Sequence, residues 1–266
     1  MDAAASGTGT TSNTHMARYA LLNNVDHQDL RVILRYGAEF ADNVATVLTF
    51  PTEFADLQRE YPIFFRKDPA TGEFQAVALL GFQEGENLFL EGGRWNAKYL
   101  PGIIGRGPFL IGFQEQQVDG AMRKEPVIHV DLDHPRVSRT EGQPVFLPHG
   151  GNSPFLEHIA TVLRGIHEGL EVSRAMFAQF IQLELIEPVK LEVNVSDREK
   201  YALDGLHTIN QEKLRALDGE SLLRLHRAGF LQGAYLVIAS LGNVKSLMAV
   251  KQRRNASEAD TAAAAS

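Results

Sequence analysis

The strictest hydrophobic pattern in the chain is PVIHVDLDHP, residues 126–135. Ile128, Val130 and Leu132 fall on one side and His129, Asp131 and Asp133 on the other. That period of two belongs to a strand with one buried face. A period near 3.6 takes over at Ser153, where Phe155, Ile159, Val162, Ile166, Leu170, Phe177 and Phe180 recur at helical spacing. Ser153 can cap that helix with its hydroxyl, and Pro154 suits the first helical position. The pattern predicts a helix running to about Leu185 and stopping short of Pro188, because the residue before proline avoids helical angles. Gly165 and Gly169 lie inside it, each costing roughly 1 kcal/mol against alanine. Close packing against another element is the compensation expected.

Shorter patterns fill in the rest. A strand is predicted near Ala45–Phe50, a helical turn over Glu53–Glu60 with Phe54 and Leu57 on one face, and a strand near Ile63–Arg66. DPATGEF reads as a hairpin turn, and FQAVALLGFQEGENLFLE as two strands around a glycine-rich turn. Residues 108–114 echo 78–83, both ending in Gly-Phe-Gln-Glu, which predicts two strands with similar exits. RTEGQPVFLPHGGNS reads as a loop or hairpin. A hairpin of KLEVNV and KYALDGLHTI turns at Ser196-Asp197, and helices follow over Gln211–Leu217, Gly219–Ala228 and Leu231–Leu241.

Strands therefore dominate first and helices second. The fold class expected is α+β, a strand-rich N-terminal half packed with a helix-rich C-terminal half, rather than alternating βαβ units. Residues 1–15 read as a disordered cloning remnant with Met16 as the native start. Residues 16–150 form the strand-rich region. Residues 151–254 form the long helix, hairpin and helical C-terminal region, integrated with it in one domain. The small polar tail 255–266 is expected to be disordered.

Composition narrows the chemistry. The chain has 266 residues, of which 44% are apolar, enough for a substantial core. A net charge of −7 argues against general affinity for nucleic acid or anionic lipid. The absence of cysteine excludes thiol catalysis, disulfides and cysteine-ligated metals. No uninterrupted apolar run near 18 residues is visible, so no membrane insertion is predicted, and a cytoplasmic location is the default.

Candidate sites are few. His129 and Asp131 point the same way on a strand, as two near ligands of a facial triad for non-haem iron would. The third ligand would have to come from His149, His167, His207 or His226. The plainer reading, a polar strand face, is the one adopted, with no metal and no cofactor expected. His158 and His167 fall on opposite sides of their helix and cannot share an ion; His167 and Glu171 read as a solvated pair. No phosphate loop and no Gly-x-Ser-x-Gly elbow occurs. Lys245, Lys251, Arg253 and Arg254 read as a solvated helix end.

The stretch GGRWNAKYLPGIIGRGPF, residues 92–109, concentrates the only tryptophan, two arginines and five glycines. Aromatic faces with guanidinium forks suit recognition of a carboxylate. The candidate ligand-binding residues are Arg94, Trp95, Tyr99, Arg106 and Phe109, with Arg94 and Arg106 turned toward one cleft. The alternative is a packed loop in which Trp95 and Phe109 are core and Pro101 and Pro108 set turns.

These residues also carry a family likeness. YPIFF, GENLFLEGGRWNAKYLPGIIGRGPFLIG and LDGLHTINQEKLRALDGESLLRLHRAGFLQGAYLVIASLGNVKSLM resemble the signature of the bacterial SapC family over nearly all of Leu21 to Met248. His207 stands where that family usually has tyrosine. The resemblance implies no reaction mechanism; family members are often encoded beside tryptophan-halogenase-like proteins and TonB-dependent receptors. The function expected is a non-catalytic accessory or binding role toward a small molecule, peptide, amino-acid derivative or partner protein. The alternatives are an iron oxygenase using His129 and Asp131, and a surface-layer structural protein.

Overall fold

The structure is a computed structural model that describes residues 18–118, 121–197 and 199–264. The disordered cloning remnant expected at 1–15 lies outside the described residues. In the first half come β1 (Tyr19–Leu21), β2 (Arg31–Val32), β3 (Thr46–Thr49), α1 (Phe54–Leu57), β4 (Ile63–Lys67) and β5 (Phe74–Leu79). They are followed by β6 (Leu90–Glu91), β7 (Arg94–Trp95), α2 (Gly102–Gly105), β8 (Phe109–Val118), β9 (Ala121–Asp131), β10 (Val137–Ser138) and β11 (Gln143–Pro144). The second half holds α3 (Pro154–Gln182), β12 (Ile186–Asn194), β13 (Lys200–Ile209), α4 (Gln211–Arg215), α5 (Gly219–Arg227), α6 (Phe230–Ser240) and α7 (Asn243–Ala264). The fold is α+β.

The central sheet has the order β12-β13-β4-β5-β3, with every neighbouring pair antiparallel. It draws β3 to β5 from the first half of the chain and β12–β13 from the second. Pro188, which donates no backbone hydrogen bond, sits in β12 at the sheet's edge. A second sheet, β1-β9-β8, is built around the long hairpin that contains PVIHVD. Two hydrophobic cores result. The larger gathers Phe54, Leu57, Tyr61, Phe65, Phe177 and Phe180 with residues of α5 to α7. The smaller gathers Leu30, Val32, Phe109, Val130, Val145 and Leu163.

α3 joins the two. Its first turns give Leu156, Ile159 and Leu163 to the smaller core, and its last turns give Met176, Phe177 and Phe180 to the larger. Ser153 Oγ accepts a hydrogen bond from Leu156 N at 3.2 Å and donates to the Pro144 carbonyl at 2.7 Å, so the cap also ties the helix to β11. The helix ends three residues before Leu185 because Glu184 takes a left-handed φ of 52°. Leu185 N then reaches back to the Phe180 carbonyl at 2.8 Å. A Cβ on Gly169 would stand 2.5 Å from Phe50 Cβ, so this glycine buys the close approach of α3 to the segment after β3. Gly165 has open space around the same position.

Three expectations are corrected. The tail from residue 255 is helical through Ala264: it continues a helix already anchored to the core, so no new nucleation is needed, and alanine propagates it well. The echoed glycines do different jobs. At Gly81 the chain leaves β5 and closes on the Glu86 backbone, whereas at Gly112 β8 continues, leaving room for the His129 imidazole across the hairpin. Lys251 and Arg254 are not a solvated helix end. Lys251 Nζ lies 2.8 Å from Glu86 Oε1 and 3.3 Å from Glu199 Oε1. Arg254 donates to the carbonyls of Asn87, Leu88 and Leu90. Burial works against the Lys251 charge, but the hydrogen bond and charge of Glu86 outweigh it and hold the ammonium well above its ordinary range.

α6 and α7 taken together, Phe230–Ala263, include an 18-residue window long and apolar enough to cross a membrane by length and composition. Gln232, Ser240, Asn243 and Lys245 interrupt its apolar run. A turn at Leu241–Gly242 divides the segment, and Ala234, Val237 and Leu247 are buried in the larger core.

Candidate functional site

Residues 92–109 form a brace between the two cores. The Trp95 ring stacks on Phe89 at 6.1 Å and meets Tyr36 edge-on at 5.9 Å. Its Nε1 donates to Tyr61 Oη at 2.7 Å, and Tyr61 Oη donates onward to the Tyr99 carbonyl at 2.5 Å. Tyr99 Oη donates to Glu53 Oε2 at 2.8 Å. The Glu53 carboxylate, itself buried, also accepts from Gly102 N at 3.0 Å, Thr49 Oγ1 at 2.6 Å and Phe50 N at 3.2 Å. Four donors thus satisfy one buried carboxylate, as a buried charge requires. Burial, and then the Glu53 charge, push the Tyr99 phenol well above the ordinary tyrosine range. Burial does the same at Tyr61.

The cleft expected to receive both arginines does not form. Arg94 is exposed beside a shallow hollow with Glu91 and Asn96. Arg106 is half-buried against a different, small cavity, and its Nη1 donates to the Phe109 carbonyl at 2.9 Å. Phe109 is fully buried in the smaller core. Trp95 and Tyr99 direct their polar atoms inward, where Tyr61 and Glu53 supply the partners that water would otherwise supply, and Phe109 buries its apolar ring.

The facial triad does not assemble either. Among the described residues no group of three or more His, Asp or Glu side chains is placed to hold an ion. His129 covers Gly112. Asp131 Oδ1 accepts from Arg18 N at 3.2 Å and Asp133 N at 3.1 Å, which organises the chain around it. Of the third-ligand candidates, His167 packs on the Phe113 ring at 4.8 Å, and His207 sits in the central sheet against Phe74 at 5.0 Å.

An open groove of about 710 Å³ lies elsewhere, between α3 and the β3–β5 side of the central sheet. Leu170, Ser173, Arg174, Phe177, Ala178 and Ile181 form its helical wall, recurring at intervals of three and four. Leu48, Phe50, Phe74 and Ala76 form the opposite wall, and Lys67, Thr71 and Glu73 stand at one end. Leu170 and Ile181 are 40% and 54% exposed, unusually open for large apolar side chains on a core helix. Ser173 Oγ is enclosed and has no hydrogen-bond partner. Lys67 Nζ lies 5.2 Å from the centre of the Phe74 ring. Among the described residues neither Lys67 nor Arg174 has a carboxylate within ion-pair distance, and Glu73 is the only acid in the lining. The groove thus combines an apolar floor, one enclosed hydroxyl and an excess positive charge. An apolar floor beside excess positive charge has the parts for holding an amphipathic anion.

No groove residue is a candidate site residue in the sequence, where Leu170 and Phe177 enter only as part of the apolar stripe of α3. The available signal was the breadth of the apolar stripe on α3. Leu170 and Ile181 extend it beyond the arc that one packed neighbour can cover.

A protein-family model described as SapC matches residues 22–247, a span containing the groove and the brace. No protein of curated function and no solved structure matches the chain.

Proposed function

We propose that this chain, which belongs to the SapC family, is a binding protein whose α3 groove takes an amphipathic organic anion. The ligand class is a carboxylate on an apolar or aromatic body, such as an N-acylated amino acid. The observation that carries the reading is the pairing of Arg174, which has no ion-pair partner among the described residues, with exposed apolar walls in one groove. A volume of about 710 Å³ suits a small organic molecule. The guanidinium matches a carboxylate through two parallel hydrogen bonds, and Leu170, Phe177 and Ile181 cover the apolar body.

The test uses 8-anilinonaphthalene-1-sulfonate, an aromatic amphipathic anion, as the fluorescent probe, with N-acetylphenylalanine and decanoate as competitors. The probe is expected to bind with a stoichiometry near one and to be displaced by both carboxylates. Arg174→Ala should weaken binding by about tenfold, the size of one charge-assisted hydrogen bond. Ala178→Trp, which fills the groove from the exposed face of α3, should abolish it while leaving the thermal midpoint in place. Unchanged probe binding in both variants would remove the groove as the site.

A further inference from the structure

The sheet wall of the α3 groove holds a backbone position that the central sheet leaves without a neighbour. β5 pairs with β4 along Phe74–Ala78, but β3 accompanies it only over Ala76–Leu79. Successive residues of an antiparallel strand turn their backbone groups to opposite sides. Leu79 N donates to the Pro62 carbonyl beside β4 at 2.9 Å, and Leu80 N donates to the Ala45 carbonyl beside β3 at 2.7 Å. Ala78, Ala76 and Phe74 therefore turn their N–H and C=O groups to the β3 side. The bond from Asp68 N to the Glu73 carbonyl, 2.8 Å, continues the same alternation at the hairpin end.

By the β3–β5 register, the residue opposite Phe74 would be Pro51. Proline has no N–H to offer. Here it has already left the sheet into a 3₁₀ turn, Pro51–Glu53, and its carbonyl accepts from Phe54 N. Among the described residues the Phe74 N–H and C=O thus have no protein partner. Thr49, Phe50, Phe74 and Ala76 all line the groove, so this free position opens into it. A ligand that covers it must offer one donor and one acceptor, as water does. The spacing of the pair is that of one residue in a strand, and it matches one residue of another strand.

We infer that the Phe74 backbone pairs with the ligand, so that the groove selects an N-acylated α-amino acid among amphipathic carboxylates. The inference rests on the groove being the binding site. The ligand's amide N–H donates to the Phe74 carbonyl, and one carboxylate oxygen accepts from the Phe74 N–H. A carboxylate has about four acceptor positions, which leaves others for Arg174. Thr49 and Phe50 fill the positions before the free one, so a single residue pairs and a longer strand does not. Residues opposite each other in an antiparallel pair place their side chains on one face. The Phe74 ring stacks with the Phe177 ring of α3 at 6.1 Å, so an L side chain is laid toward α3 and a D side chain away from it. A fatty acid has the carboxylate but no donor for the Phe74 carbonyl.

The test is displacement of 8-anilinonaphthalene-1-sulfonate from the full chain by three matched competitors. N-Acetyl-L-phenylalanine is compared with its D enantiomer and with O-acetyl-L-3-phenyllactate, in which an ester oxygen replaces the amide N–H. Loss of that hydrogen bond should weaken competition by about tenfold, and the D enantiomer should also compete less well. Equal competition by amide and ester would overturn the inference and leave the anion groove standing. No competition by any of the three would overturn it too, and the response of the probe to Arg174→Ala then decides whether the groove falls with it. Amide hydrogen exchange reads the pairing directly. The Phe74 amide should gain protection with saturating N-acetyl-L-phenylalanine, whereas Ala76, paired with Thr49 throughout, should not change. A Phe74 amide that exchanges equally fast in the bound chain overturns the pairing.

Discussion

The brace at residues 92–109 and the groove along α3 exchange the roles their sequences suggest. The brace has the composition of a binding surface, with tryptophan, tyrosine and two arginines, yet its tryptophan and tyrosine are consumed internally through Trp95, Tyr61, Tyr99 and Glu53. The groove wall looks like an ordinary core helix, yet it leaves Leu170 and Ile181 open and, among the described residues, Arg174 without an ion-pair partner. Residue type sets which interactions a segment can make. Whether they remain available for a ligand depends on what the rest of the chain has already used.

The largest expected effect tests that the brace is structural. Glu53→Ala leaves two backbone N–H groups and two hydroxyls without their acceptor. It should cost about 3–5 kcal/mol, read from urea unfolding. A loss below about 1 kcal/mol would show that the brace carries little of the fold. By contrast, Arg174→Ala should leave urea stability nearly unchanged while weakening the groove probe.

Alkaline pH strains the same network. The Tyr99 phenol is raised above the ordinary value of 10.0 by burial and Glu53, and Tyr61 is raised by burial. Each contributes stability that is whole below the unfolded tyrosine pKa and is lost as pH rises toward the higher folded value. Urea stability should therefore hold through neutral pH and decline above about pH 10. Phenolate absorbance from these two rings should appear only with unfolding. Tyr99→Phe should flatten part of the decline, and an identical pH profile in that variant would separate Tyr99 from the alkaline limit.

Next in size is a contrast within α3. Gly169→Ala drives a Cβ to 2.5 Å from Phe50 Cβ and should destabilise by about 1–3 kcal/mol. Gly165→Ala meets nothing within 4 Å and should stabilise by up to about 1 kcal/mol through helix propensity. Equal effects at the two positions would mean that the close approach at Phe50 is not rigid. The smallest effect is expected at Arg94. Arg94→Ala on the exposed hairpin should change stability by less than about 0.5 kcal/mol and leave the groove probe unaffected. A clear loss of probe binding there would return the recognition role to residues 92–109.

Local signals were strong wherever one segment decides its own geometry. The alternation at Ile128, Val130 and Leu132, the Ser153 cap with Pro154, and the turn at Asp68 to Glu73 all appear where the side-chain pattern puts them, because period, capping and turn chemistry act over a few residues. The order of strands from halves to whole allowed the α+β class to be read in the same way. Three dimensions decided the rest. Glu86 and Glu199 come from distant turns to meet Lys251, and Arg254 finds carbonyls of Asn87 to Leu90, so a basic helix end became a clamp. Among the described residues His129 and Asp131 received no third ligand, and His167 and His207 pack on Phe113 and Phe74 instead. The groove exists because the central sheet covers only part of the broad apolar face of α3. That remainder is a property of how two elements fit together, which no single stretch of sequence contains.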